Sequence, residues 1–138
     1  MADLTQTAAN VGLAAASGPL EVVQAGGTVT QGNSVYLKSS DGKYWRTDAD
    51  ESAAAAAAKG IAMTAAVADG YFAIAKDGDT VNLGATLVVA ETYIVSDTAG
   101  GIKPVADLTT GDYMTKLGVA ATASSMLIKI DISGVAKP

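Results

Sequence analysis

Leu127-Ile128-Lys129-Ile130-Asp131-Ile132 is the stretch that decides the fold. Its alternation puts Ile128, Ile130 and Ile132 on one side and Lys129 and Asp131 on the other, the period of two expected of a strand with one face on a core. Outward from it, short apolar runs recur at 20–23, 35–37, 71–75, 80–83, 87–89, 93–95 and 126–132. Asp41-Gly42, Asp69-Gly70 and Asp77-Gly78 lie between such runs. Each joins a residue that tolerates left-handed backbone to a glycine, a turn signal. Strand-sized runs bounded by turns predict a mainly β fold, a compact β-barrel or sandwich.

The β-like text is written twice. Residues 26–77 lie over 84–135 without a gap at an offset of 58. Gly26/Gly84, Thr28/Thr86, Gly42/Gly100, Gly60/Gly118, Ala62/Ala120, Thr64/Thr122 and Ile74/Ile132 are identical, and Phe72 falls over Ile130. Val35-Tyr36-Leu37 lies over Tyr93-Ile94-Val95. Two similar units of about 50 residues, with no reactive residue in matching places, point to a scaffold or a binding surface.

The domain reading is an N-terminal arm over 1–20 and a single β domain over 21–138. The arm is small, polar and non-periodic, and it closes at Gly18-Pro19, where the proline ring disfavours helix. It is either a disordered end or an extended arm that docks on a partner through Leu4, Val11 and Leu13. One segment breaks the β pattern: Asp48-Ala49-Asp50-Glu51-Ser52, six alanines at 53–58, then Lys59 and Gly60. It predicts one short helix near 51–59, with acids at the positive end of the dipole and Gly60 placed for a left-handed cap. The matching stretch 107–117 contains Gly111 and reads as a turn or a poorer helix.

Composition limits the chemistry. Of 138 residues 49% are hydrophobic, but there are only one Trp, one Phe and five Tyr. A core of small side chains buries little area, and at about 25 cal/mol per Å² it stabilises a lone chain weakly. That favours one core shared by both units and help from other subunits. The net charge is −5 and the nine Lys and Arg are scattered singly, which disfavours nucleic acid as a partner. No apolar run approaches the roughly 18 residues of a membrane span, so no membrane partner is expected. Met1-Ala2-Asp3-Leu4 lacks the basic start of a secretory signal.

Cysteine and histidine are both absent, which removes thiolate chemistry, the usual general base and the familiar zinc sites. Fourteen carboxylates leave glycoside hydrolysis formally open, but few aromatics and a short chain speak against a deep cleft. No enzyme is expected. Asp77-Gly78-Asp79 and Asp48-Ala49-Asp50-Glu51 lack the spacing of a calcium loop, and Gly26-Gly27 and Gly100-Gly101 lack that of a phosphate loop. No cofactor or metal is expected. Tyr44-Trp45-Arg46 remains, either a contact hot spot or an aromatic cover over a small core.

The order Thr28-Val29-Thr30-Gln31-Gly32-Asn33-Ser34-Val35-Tyr36-Leu37, Ser40-Asp41-Gly42-Lys43 and Lys59-Gly60-Ile61-Ala62-Met63-Thr64-Ala65 carries a resemblance. Glu91-Thr92-Tyr93-Ile94-Val95-Ser96, Gly100-Gly101-Ile102-Lys103-Pro104 and Leu117-Gly118-Val119-Ala120 repeat it. Over 20–133 the chain resembles the small decoration, or cement, proteins and head-fibre bases of tailed-bacteriophage capsids. The resemblance implies a compact β-barrel-like domain and a homotrimer. It also implies a virion protein on the outer capsid surface, made in the host cytoplasm and bridging major capsid protein subunits of the expanded shell. The arm would pair with capsid strands. The family supplies no catalytic residues. Rival expectations are a receptor- or glycan-binding module using Tyr44 and Trp45, as in a fibre head, and a ring-forming β module of a tail tube or tail tip.

Overall fold

Strands form where apolar residues alternate between turn residues, and eleven strands organise the described residues. The computed structural model describes residues 3–15 and 19–138. In chain order the strands are β1 (Val11–Ala15), β2 (Glu21–Gln24), β3 (Ser34–Lys38), β4 (Lys43–Arg46), β5 (Gly60–Ala62) and β6 (Tyr71–Ala75). Then come β7 (Thr80–Leu83), β8 (Thr92–Val95), β9 (Ile102–Pro104), β10 (Tyr113–Ala120) and β11 (Ser125–Ala136), with one helix, α1 (Ala53–Ala56). The runs at 71–75 and 80–83 are strands at their predicted bounds. The run at 87–89 is not a strand: Glu91 N–H closes a turn on Val88 O. At the predicted turns Gly42, Asp69 and Gly78 take positive φ.

The strands make two antiparallel sheets, β1-β7-β11-β10-β8-β9 and β2-β6-β5-β3-β4. Leaving β1 aside, both have the same order, with β2, β3, β4, β5 and β6 answered by β7, β8, β9, β10 and β11. The register agrees residue by residue. Val35 pairs with Arg46 and Gly60, and Tyr93, which lies 58 positions on, pairs with Pro104 and Gly118. Gly32 N–H donates to Ala62 O and Ala90 N–H to Ala120 O. Gly32 and Ala90 both hold positive φ.

The offset slips in the last hairpin, because the loop at 63–70 is longer than that at 121–124. Ile61 pairs with Ala75 and Val119 with Leu127, so Met126, rather than Ile132, answers Ile74. Neither sheet closes into a barrel. The five-stranded sheet curls until its end strands meet at a single bridge, Ala25 with Tyr44.

Two hydrophobic clusters form, and the larger is shared by both units. Val23, Ala25, Val29, Val35, Ala62, Phe72 and Ile74 line the inside of the first sheet's curl. The larger cluster joins Val81, Leu83, Tyr93, Val95, Ile102, Met126 and Ile128 to Ile61, Met63 and Ala75 from the other face of that sheet. Opposite faces of Ile61-Ala62 thus serve different clusters, which is how small residues hold two units together. The alternating face of β11 runs out of core: Ile128 is buried, Ile130 half-buried and Ile132 exposed.

The structure revises the separate arm, the Gly60 cap and the turn or helix expected over 107–117. The N-terminal segment is not separate from the β domain. β1 pairs with β7 through Val11 and Leu83, Gly12 and Asn82, and Leu13 and Val81. Leu4 packs on the larger cluster and Val11 is buried in it. Gly18 lies outside the described residues. The short helix expected near 51–59 is present as α1, a single four-residue turn capped by Ser52, whose Oγ accepts Ala55 N–H at 3.0 Å. Gly60 is no helix cap. It opens β5, where a Cβ would lie 2.4 Å from Ala75 O, so pairing overrides the alanine propensity. The stretch after Gly111 is the eight-residue strand β10, the centre of its sheet. Among the described residues no helix is long and apolar enough to cross a membrane.

Candidate functional site

The Tyr44-Trp45-Arg46 segment is β4, and its side chains part company. Tyr44 packs on the smaller cluster, while Arg46 is exposed and Trp45 half-buried. The indole lies across Gly26-Gly27, where a Cβ would meet it at 2.2 and 3.1 Å. Its Nε1 donates to Asp41 Oδ2 at 3.0 Å, and Lys38 Nζ sits 4.7 Å from the ring centroid, in reach of a cation–π contact. Asp41 also accepts Lys43 N–H. That backbone bond, with the Trp45 hydrogen bond, holds its carboxyl below the usual range. Trp45 is therefore engaged on the chain itself rather than offered as an open platform.

Beside it lies a cleft of about 230 Å³ lined by Tyr36, Lys38, Trp45, Arg46, Asp48 and Glu51. Burial, and then a hydrogen bond shared with Asp50, push Asp48 up to about 6. A carboxyl with a raised native pKa binds protons more readily folded than unfolded, so its contribution to stability falls as pH rises. The window runs from its ordinary 3.8 to about 6. Asp48→Asn should therefore unfold at higher denaturant than wild type above that window, with the gap closing below it. An equal gap on both sides would rule out this assignment.

Trp45 has a counterpart. Tyr36 pairs with Trp45 as Ile94 pairs with Lys103. Where the first unit has an aromatic cover, the second buries an ammonium: Lys103 is 1% exposed. It donates to Asp112 Oδ2 at 2.8 Å and to Asp97 Oδ1 at 3.4 Å. Thr109 also donates to Asp112 through its hydroxyl and N–H. Burial works against both charges, but the mutual hydrogen bond outweighs it, raising Lys103 and lowering Asp112. This pair is a structural lock.

Leu4 and Val11 pack on the chain's own larger cluster, and Leu13 stays 39% exposed. The apolar surface lies elsewhere. Val22, Val67, Tyr71, Val88, Val89 and Val135 are each more than half exposed. Sequence reasoning passed over these residues, although Val22-Val23 carried a signal: adjacent strand residues face opposite sides, so one of the two must face outward. Among the described residues no three acidic side chains converge as metal ligands would. A concavity of about 510 Å³ is lined by the hydroxyl and amide side chains of Thr5, Thr7, Asn10, Asn82, Thr86 and Ser124. No known protein-family model matches the chain, and no curated protein matches it either.

Proposed function

We propose that this chain is a non-catalytic virion structural protein that decorates the outer surface of an expanded phage capsid, bridging major capsid protein subunits as a homotrimer. The observation that carries the reading is its apolar exposure. A chain short of large hydrophobic side chains leaves Val22, Val67, Tyr71, Val88, Val89 and Val135 59 to 71% exposed, which suits surfaces covered by other subunits. The duplicated β framework adds two similar surfaces on one chain, and two weak contacts on one shell reinforce each other through effective concentration. The glycan-binding alternative is less favoured, because Trp45 lies on Gly26-Gly27 and bonds Asp41.

The test mixes purified protein with undecorated expanded shells and follows co-sedimentation and the shells' heat resistance, with native mass spectrometry giving the oligomer. Binding, heat protection and a trimer are expected. Failure to bind its own shell would remove the proposal, and a hexameric ring would favour a tail module.

A further inference from the structure

We infer that the free edge of β2 is an acceptor slot for an extended, uncharged strand with small side chains, contributed by the shell subunit; the identity of the donor rests on the decoration reading above. The two units solve the same problem differently. In the first, the end strands of the curl meet where Gly26 N–H donates to Tyr44 O at 2.9 Å. The answering residues of the second, Gly84 and Ile102, are bridged by the N-terminal segment instead. Leu4 N–H donates to Ile102 O at 2.8 Å and Thr7 N–H donates to Gly84 O at 2.7 Å. The same segment continues into β1, which pairs along the outer edge of β7. A strand outside β7 is thus part of the second unit, and it is Val-Gly-Leu-Ala-Ala.

β2 answers β7, and among the described residues the only strand on its outer side is β4, which reaches it at its last residues through the bridge of Ala25 with Tyr44. Ala25 N–H points to the β6 side, donating to Gly70 O, and Gly26 N–H points the other way. Alternate residues of a strand direct their backbone groups to the same side, so Val22 and Gln24 present N–H and C=O to the open edge with Gly26. The parallel bridge of Ala25 with Tyr44 takes up the outward C=O of Gln24 at the end of the strand, which leaves the Gln24 N–H and both groups of Val22 along an edge where no ladder continues. Val22 is 67% and Tyr71 68% exposed beside them. Charges bordering the slot are already matched: Lys76 with Glu21 at 2.9 Å, and Lys43 with Asp69. An occupant needs no charge, and the segment filling the corresponding place on β7 has none. An unpaired edge of this kind takes strands by augmentation.

Val22→Pro tests the slot directly. Proline removes the outward N–H, the one donor an edge strand can lose without breaking its own sheet, whereas Val22→Thr keeps it. Wild type and Val22→Thr should co-sediment with expanded shells, and Val22→Pro should bind at least tenfold more weakly. A synthetic peptide of residues 10–15 should slow amide hydrogen exchange at Val22 and Gln24 of the wild-type chain. The peptide measurement stands even if the proline variant misfolds. Shell binding undiminished by a folded Val22→Pro overturns the slot and leaves decoration standing. Peptide protection without shell binding keeps the slot but overturns both the shell as donor and the decoration reading. Self-association lost in Val22→Pro would put a second copy there and overturn the donor named. No protection at Val22 and Gln24 overturns the slot itself.

Discussion

Gly118→Ala should destabilise the chain by about 3 kcal/mol, the upper end of what overpacking a well-fitted interior usually costs. A Cβ on Gly118 would sit 2.1 Å from Leu127 O and 3.0 Å from its carbonyl carbon. Those are backbone atoms of the adjacent strand, so no rotamer change can clear them, and β10 must separate from β11 locally. Gly118 does not hold positive φ, so the cost is steric rather than conformational. Tyr93 pairs across from it, fully buried, and a displaced strand would loosen that ring as well. Gly60 is the same site in the first unit, with Ala75 O at 2.4 Å, and Gly60→Ala should behave alike. Gly12→Ala is the control: nothing lies within 4 Å of its Cβ and its φ is not positive, so a change within about 0.5 kcal/mol is expected. Equilibrium denaturation of the three variants decides the point. A Gly118→Ala chain as stable as Gly12→Ala would mean that the two strands do not approach this closely.

That pair of glycines also marks how far the sequence could be read. Gly60 and Gly118 stand in register because each unit brings a hairpin strand against the same backbone position, and the matching phrases on either side follow from that packing. The repeat was therefore legible up to β5 and β10. It slipped afterwards because loops of different length obey no common spacing, and a gapless comparison cannot absorb one. β6 and β7 were readable because their apolar residues alternate between clear turns. β10 was not: Thr115 is buried with no apolar character, Lys116 half-buried, and Gly118 carries no side chain, so its period of two is hidden. The alanine run marked the helix but not its end, which comes at Ala56. Its propensity is local, while Lys59 N–H donates to Val35 O and pulls the chain into the sheet. At the candidate surface, Trp45 could be noticed by type, but that it lies on Gly26-Gly27 depends on a contact between residues far apart in the chain. Val22 drew no attention because valine is read as core unless the neighbouring strand is known to be missing.

Lys103→Ala should cost still more, about 3–5 kcal/mol, the loss expected when one member of a buried ion pair is removed and its partner stays charged. Asp112 is 1% exposed, so water cannot replace the ammonium that Lys103 brings to 2.8 Å. Asp97 keeps 40% side-chain exposure and tolerates the loss. Most of the penalty therefore belongs to Asp112, and a second substitution should recover it. Lys103→Met with Asp112→Asn removes both charges, retains a Thr109 partner for the amide oxygen, and should lie within about 1–2 kcal/mol of wild type, since apolar replacements of buried pairs are often close to neutral. The acid limb separates the two explanations. Because Asp112 is held below its ordinary 3.8, the unfolded chain binds its proton first as pH falls. The pair's contribution is thus complete above the ordinary value and disappears as pH drops through the lowered one. Lys103 is raised above 10.5, so its share persists through neutral pH and fades only as alkali passes the raised value. Wild type should lose this stabilisation in acid, and the double variant should have less to lose. If the single and double variants are equally destabilised at neutral pH, the penalty arises from lost packing of the lysine stem, and the ion pair is not what holds β9 against the start of β10.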